Sequence, residues 1–282
     1  MSEIKSIRET FLPDENCIFV RCDLQQAEHR MGLVYCGSSR MMETVNLNSE
    51  EWDEFTEGGK KIFGEGEFNS DRKKMRYLTK KIYHASWRDM AGDKMSESIS
   101  KDTDGALFIP ANQCQRLINT YLEQNPEIKE IYMPWVRQQI MDVGVLVNSW
   151  GRRWDVRWRR IDADLYRAAY SFYLQSEVAD WVNQYGFIPG TYYMLSKYGK
   201  PLNAHVHDEV IASVSKEDAF DYSWFIVNSL QQRREIPKGS ERILCIPAGI
   251  TVGESWGDKR IEFKRLPERE EFYKKLEEGG LK

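Results

Sequence analysis

The chain has 282 residues, 41% of them hydrophobic and 30% charged, with a formal net charge of −4. That length suffices for one large domain or two small ones. The charge balance excludes a uniformly basic nucleic-acid binder, and no apolar run approaches the ~20 residues of a bilayer span. Met1-Ser-Glu-Ile-Lys5 is no signal peptide. Cys17, Cys22, Cys36, Cys114 and Cys245 form no CxxC pair and are expected reduced, in a cytoplasmic protein. Basic residues concentrate at 72–88 and 152–167. An enzyme that grips a polyanion at one place has this distribution.

Residues 1–40 read as strand then helix, with the β-like run Ile18-Phe19-Val20 leading into Asp23-Leu-Gln-Gln-Ala-Glu28-His-Arg30. Residues 41–70 are loop-rich and acidic, with a short helix near Trp52–Phe63. Residues 71–100 read as a strongly basic helix and a second helix, and 110–142 carry helical periodicity. Val143–Arg160 reads as a hairpin turning at 149–152, with Trp150, Trp154 and Trp158 packed in or on it. Residues 163–184 form a long helix. Residues 186–214 are expected to return to strands, broken at Gly199-Lys200-Pro201. A helix over 215–233 with Ser215 as N-cap, a strand over 241–256 and a charged tail over 259–282 complete the chain. Helices inserted between a few strands give an α+β class.

The chemistry gathers in few places. His207-Asp208-Glu209 lies between Val206 and Val210-Ile211, so its carboxylates sit at the turn of a tight β-hairpin. Asp23 follows another strand, and carboxylates at adjacent strand ends can hold a pair of divalent metals for phosphoryl or nucleotidyl transfer. Arg76, Lys80, His84 and Arg88 recur every four residues and share one helix face. Like charges at that spacing cost roughly 0.2–0.5 kcal/mol per pair; the run is either a solvated basic face or a site where an anion such as a triphosphate offsets that cost. Arg167, Ser171 and Gln175 repeat the spacing on the 163–184 helix and can donate to phosphates, sugars or minor-groove acceptors. His29 reads as a structural or surface histidine, and a metal-binding His205/His207 pair is not favoured.

Taken in order, these segments resemble the polymerase domain of family A DNA polymerases, from about Ile7 to Asp258. The family's Asp-x-Ser-x-x-Glu-x-Arg is matched at Asp23–Arg30, and Ile7–Pro13 resembles the lead-in to that strand. Its Arg-x-x-x-Lys-x-x-x-Phe-x-x-x-Tyr-Gly is matched by Arg76, Lys80, His84 and Arg88-Asp89. Arg167, Ser171 and Gln175 resemble its Arg-x-x-x-Asn-x-x-x-Gln helix. His207-Asp208-Glu209 matches its His-Asp-Glu, and Gly253-Glu-Ser-Trp256 resembles its Gly-Glu-Asn-Trp.

The resemblance implies a right-hand polymerase: a palm (1–40 and 146–258), helical fingers with an insert (41–145), and the tail. It implies template-directed DNA synthesis on a primer-template with deoxynucleoside triphosphates and two Mg²⁺ ions. Asp23, Asp208 and the Leu24 carbonyl are then the metal ligands, with Glu209 supporting them. Gln26, Glu28, Arg76, Lys80, His84 and Arg88 face the nucleotide, Glu28 as the gate against a 2′-hydroxyl. His207 touches the primer terminus, and Arg167, Ser171 and Gln175 contact the primer-template. Arg88-Asp89 replaces Tyr-Gly, Gln25 a serine, Ser171 an asparagine, and Phe55 stands where the family often has a histidine before the fingers helix. Thumb and exonuclease segments are expected in a second polypeptide of a split, phage-encoded polymerase working in the host cytoplasm. The alternatives are a weakened or inactive DNA-binding subunit and a single-chain RNA polymerase relative.

Overall fold

The computed structural model describes residues 7–258 and 261–281. After a 3-10 turn at Ile7–Thr10, strand β1 (Cys17–Leu24) leads into α1 (Ala27–Cys36) and the short α2 (Ser39–Met42). A helical stretch follows: α3 (Glu54–Phe63), α4 (Glu65–Ser70), α5 (Arg72–Trp87), α6 (Gly92–Asp102), α7 (Ala111–Gln124) and α8 (Met133–Asp142). The hairpin β2 (Val145–Val147) and β3 (Arg153–Asp155) precedes α9 (Ala163–Val182) and α10 (Ile188–Tyr198). Then come β4 (Ala204–Val206), β5 (Glu209–Ser215), α11 (Ala219–Leu230), β6 (Arg233–Glu235), β7 (Ile243–Cys245), β8 (Ala248–Gly253), β9 (Ile261–Phe263) and α12 (Arg269–Glu278). This is the expected α+β class.

Five strands form one antiparallel sheet in the order β4-β5-β1-β8-β9. β1 is central, and strand alternation gives it two unlike faces. Ile18, Val20, Cys22 and Leu24 are almost wholly buried and pack with Val210, Ala212, Ile250 and Val252 against α11. The opposite face carries Arg21 and Asp23, with Glu209 and Gly249 in register beside Asp23. One apolar face anchors the sheet, which leaves the polar face open for chemistry.

Two expectations fail. Residues 188–198 are helix rather than strand: α9 runs through a π turn at Asn183–Phe187 into α10. The aromatic and β-branched content there (Phe187, Ile188, Thr191, Tyr192, Tyr193) imitates a strand. Pro189 follows the π turn within this continuous run, and the Tyr185 carbonyl that its missing N–H cannot reach accepts from the Ser229 hydroxyl at 2.6 Å instead. Gly199 ends the helix in the left-handed region (φ 67°), its N–H donating to Leu195. The charged tail, for which the sequence left a helix or a loose segment open, is ordered over its described part. β9 adds an edge strand, and α12 buries Phe272 and Leu276 one turn apart, with Phe272 stacked on Phe263 at 5.0 Å. Two apolar side chains among many charges are a weak periodic signal. The 215–233 helix starts later than expected, at Ala219, and Ser215 instead donates its hydroxyl to Asp218.

Candidate active site

The hairpin between β4 and β5 turns on His207 and Asp208 alone, since Val206 pairs with Glu209. His207 takes φ 56°, in the left-handed region that histidine tolerates better than most residues. The turn sets Asp208 against the end of β1, where the Leu24 N–H donates to the Asp208 carbonyl at 3.1 Å. Asp23 and Asp208, 185 positions apart (208 − 23), thus come to neighbouring strand ends on the floor of one cleft of about 1030 Å³. Both are half-buried. Burial, then Asp208 and Glu209, push the Asp23 carboxyl up to about 6. Asp208 is raised mainly by burial, with Lys80 among the groups pulling the other way.

Glu209 is occupied differently. Arg21, two residues before Asp23 on the same strand face, grips it with Nε at 2.9 Å and Nη2 at 2.8 Å. Trp256 donates its indole N–H to the same carboxylate at 3.2 Å, and the Trp256 carbonyl accepts from Arg21 Nη1. Gly253-Glu-Ser-Trp256 therefore fastens Glu209, while Asp23 and Asp208 stay open to the cleft, which Glu262 of β9 also lines.

The basic helix α5 forms the opposite wall. Arg76, Lys80, His84 and Arg88 all line the cleft, as their four-residue spacing requires. Asp53 caps α3 and accepts from Arg76 Nε at 2.6 Å and from Gln26 Nε2 at 2.7 Å. Glu28 accepts from Arg88 Nη2 at 2.5 Å and lies 3.5 Å from His84 Nδ1. Burial alone would raise its carboxyl, but His84 and Arg88 outweigh that and hold it at about 2. Gln175, from α9, reaches the other Glu28 oxygen at 3.5 Å.

His207 also lines the cleft; Arg167 and Ser171 do not, lying farther along α9. Arg167 pairs with Asp164, and the Ser171 hydroxyl donates back to the Arg167 carbonyl. His29 is a core residue: it accepts from Trp87 Nε1 at 3.1 Å and packs on Tyr83. Among the described residues no group of three or more His, Cys, Asp or Glu side chains converges as a metal cage. Asp53 and Arg21 were missed from sequence. Only the alternation placing Arg21 beside Asp23 could have flagged the latter.

The pattern that defines DNA polymerase family A matches residues 1–258. The chain belongs to DNA polymerase family A. No curated protein sequence matches it. Among solved structures, this family A chain is similar to the POL domain of Pol1 from M. smegmatis in complex with DNA primer-template and dNTP. The TM-score is 0.69 at 16% identity, over 90% of this chain and 43% of that one, so the likeness is one of fold and the chain spans less than half of that relative.

Family membership gives the Arg88-Asp89 departure a physical reading. Asp89 holds φ 51°, the conformation in which glycine is freest. Where the family pattern has Tyr-Gly, this chain therefore has an arginine tied to Glu28 followed by a residue in a glycine-favoured conformation. Among the described residues, no helix is long and apolar enough to cross a membrane.

Proposed function

We propose that this chain carries the nucleotidyl-transfer centre of a DNA polymerase, extending a primer 3′-hydroxyl with deoxynucleoside triphosphates on a template. One observation carries the reading: Asp23 and Asp208 stand at adjoining strand ends, facing the basic wall of α5 across a cleft. Residues 41–145 act as fingers over a palm made by the flanking segments.

Asp23, Asp208 and the Leu24 carbonyl would hold two Mg²⁺ ions. The oxygen-only donor set fits, because Mg²⁺ keeps water and phosphate oxygens in much of its shell and needs no cage of side chains. Burial raises Asp23, and the neighbouring Asp208 and Glu209 add to it, so a cation there is favoured. Bound Mg²⁺ supplies charge for the attacking hydroxyl and the leaving pyrophosphate. The chain's own groups bind and orient. Arg76 and Lys80 neutralise the triphosphate, with Gln26 and His84 beside it. Glu28 fills the space beneath the sugar and excludes a 2′-hydroxyl, and Arg88 steadies Glu28. Glu209, held by Arg21, keeps the carboxylate strand in place. His207 meets the primer terminus, and Gln175, Ser171 and Arg167 follow the primer-template along α9.

The chain spans 43% of the polymerase relative, and the grip on duplex DNA is assigned to a thumb that these residues do not include. The cytoplasmic setting is supported by five free cysteines.

The test is Asp208→Asn in primer extension, with and without a thumb-bearing partner. Extension is expected to fall by about 10²–10³-fold, the usual cost of removing one preorganised electrostatic group. Unchanged extension would overturn Asp208 as a metal-holding carboxylate, and no extension by the unmodified chain with its partner would leave a DNA-binding role without catalysis.

A further inference from the structure

The segment between β3 and α9 plays no part in the cleft, and its chemistry is unusual. Over 152–167 the chain carries six arginines (152, 153, 157, 159, 160, 167) against three aspartates (155, 162, 164), a local charge of +3 on a chain of −4. Arg152 pairs with Asp180, Arg157 with Asp155 and Arg167 with Asp164, while Arg160 stands 4.0 Å from Asp162. Arg153 and Arg159 have no carboxylate within ion-pair distance among the described residues, and both are exposed. Between Arg157 and Arg159 stands Trp158, 91% exposed.

An indole so bare is exceptional, because tryptophan is highly buried on average. The hairpin's other two tryptophans behave normally. Trp150 lies under Arg234, and Trp154 packs on Phe172 at 5.6 Å. Trp158 does not share that packing, contrary to the sequence expectation. Its place is held by backbone. The Arg159 N–H closes a turn onto the Val156 carbonyl at 2.9 Å, Val156 is buried, and its own N–H donates to Gly144. A fixed turn thus presents a flat aromatic surface between Arg157, paired with Asp155, and Arg159, whose exposed guanidinium lies 5.4 Å from the Trp154 ring centroid.

The patch continues a path to the cleft. Asp162 caps α9, Arg167 lies one turn further, and Gln175, eight residues on or about 12 Å of helix, touches Glu28.

We propose that the 153–160 turn is a binding site for single-stranded DNA, in which Trp158 stacks on an unpaired base and Arg153, Arg159 and Arg160 neutralise the neighbouring phosphates. Stacking selects the unpaired strand, since a base inside a duplex already has both faces covered. The site extends the proposed function: the strand it holds is the template beyond the paired region.

The test uses the full chain in EDTA without nucleotide, so the outcome does not depend on chemistry at Asp23 and Asp208. Binding of a fluorescein-labelled dT20 and of a blunt 20-base-pair duplex is followed by anisotropy across a salt series. Trp158→Ala is expected to weaken dT20 binding about tenfold, with little change for the duplex and an unchanged melting temperature. The triple variant Arg153→Gln, Arg159→Gln, Arg160→Gln is expected to reduce the log–log salt slope for dT20 by about 2. Unchanged dT20 affinity in Trp158→Ala, or equal losses on dT20 and duplex, overturns the proposal. Either result leaves the polymerase reading to the Asp208→Asn assay.

Discussion

Arg88 Nη2 lies 2.5 Å from Oε2 of Glu28, so the cation at the end of α5 and the acid on α1 are fixed to each other across the cleft. With Glu28 acting as the sugar gate, Glu28→Ala is expected to lower discrimination against ribonucleotides by about tenfold or more. The measurement is the ratio of kcat/KM for each dNTP to that for its ribonucleotide.

The same contact sets a pH dependence. Glu28 is held at about 2 in the fold, below the ordinary carboxylate value of 4.5. Its contribution to stability is therefore complete above about pH 4.5 and is lost as the pH falls toward 2. Urea denaturation at pH 6, 5, 4 and 3 is expected to give a shallower acid decline for Glu28→Gln than for the unmodified protein. Parallel curves would remove Glu28 from the balance.

Arg21 is 5% exposed and bridges Glu209 with two nitrogens. Arg21→Ala leaves that acid beside Asp23 and Asp208 without its cation. Breaking such a pair costs about 3 kcal/mol, a fall in melting temperature of about 6–12 °C for a chain of this size. The double variant Arg21→Ala, Glu209→Gln is expected to recover part of the loss, and a double-mutant cycle reads the coupling.

Arg76 is half-exposed and already carries a carboxylate partner, Asp53. Arg76→Ala is expected to cost less than about 1 kcal/mol in stability and to raise the KM for dNTP about tenfold or more, the value of a charge-assisted hydrogen bond. A large stability loss with unchanged KM would make Arg76 a structural residue only.

Mg²⁺ is expected to raise the melting temperature of the unmodified protein by relieving the repulsion between Asp23 and Asp208, with the shift growing with concentration. Asp23→Asn and Asp208→Asn are expected to lose that shift. Calorimetry with and without Mg²⁺ checks it, and an equal shift in the variants places the ion elsewhere.

What the sequence revealed followed from periodicity and local chemistry. The four-residue rhythm of Arg76, Lys80, His84 and Arg88 placed all four on one cleft wall. The acids between short apolar runs located the Asp208 turn, and a hairpin formed within 143–160, although Trp158 stays outside its packing. Local pattern failed where tertiary context decided. Pro189 and its aromatic neighbours looked like strand punctuation, yet a helix already under way carried them into α10. Phe272 and Leu276 gave too brief a rhythm to reveal a docked helix. Asp53 takes Gln26 and Arg76 from elements distant in sequence, and no spacing rule joins those three residues.

The central position of β1 has a consequence for biosynthesis. Its neighbours on both sides, β5 and β8, are made far later, so β1 leaves the ribosome with two unsatisfied edges. At roughly 5–20 residues per second of translation, the wait between Asp23 and Asp208 is about 10–40 s. During that interval an apolar strand is exposed to wrong pairing. The cleft floor cannot close before β5 has been made, so a ribosome stalled before β5 releases a product that lacks both the floor and any strand to shield β1.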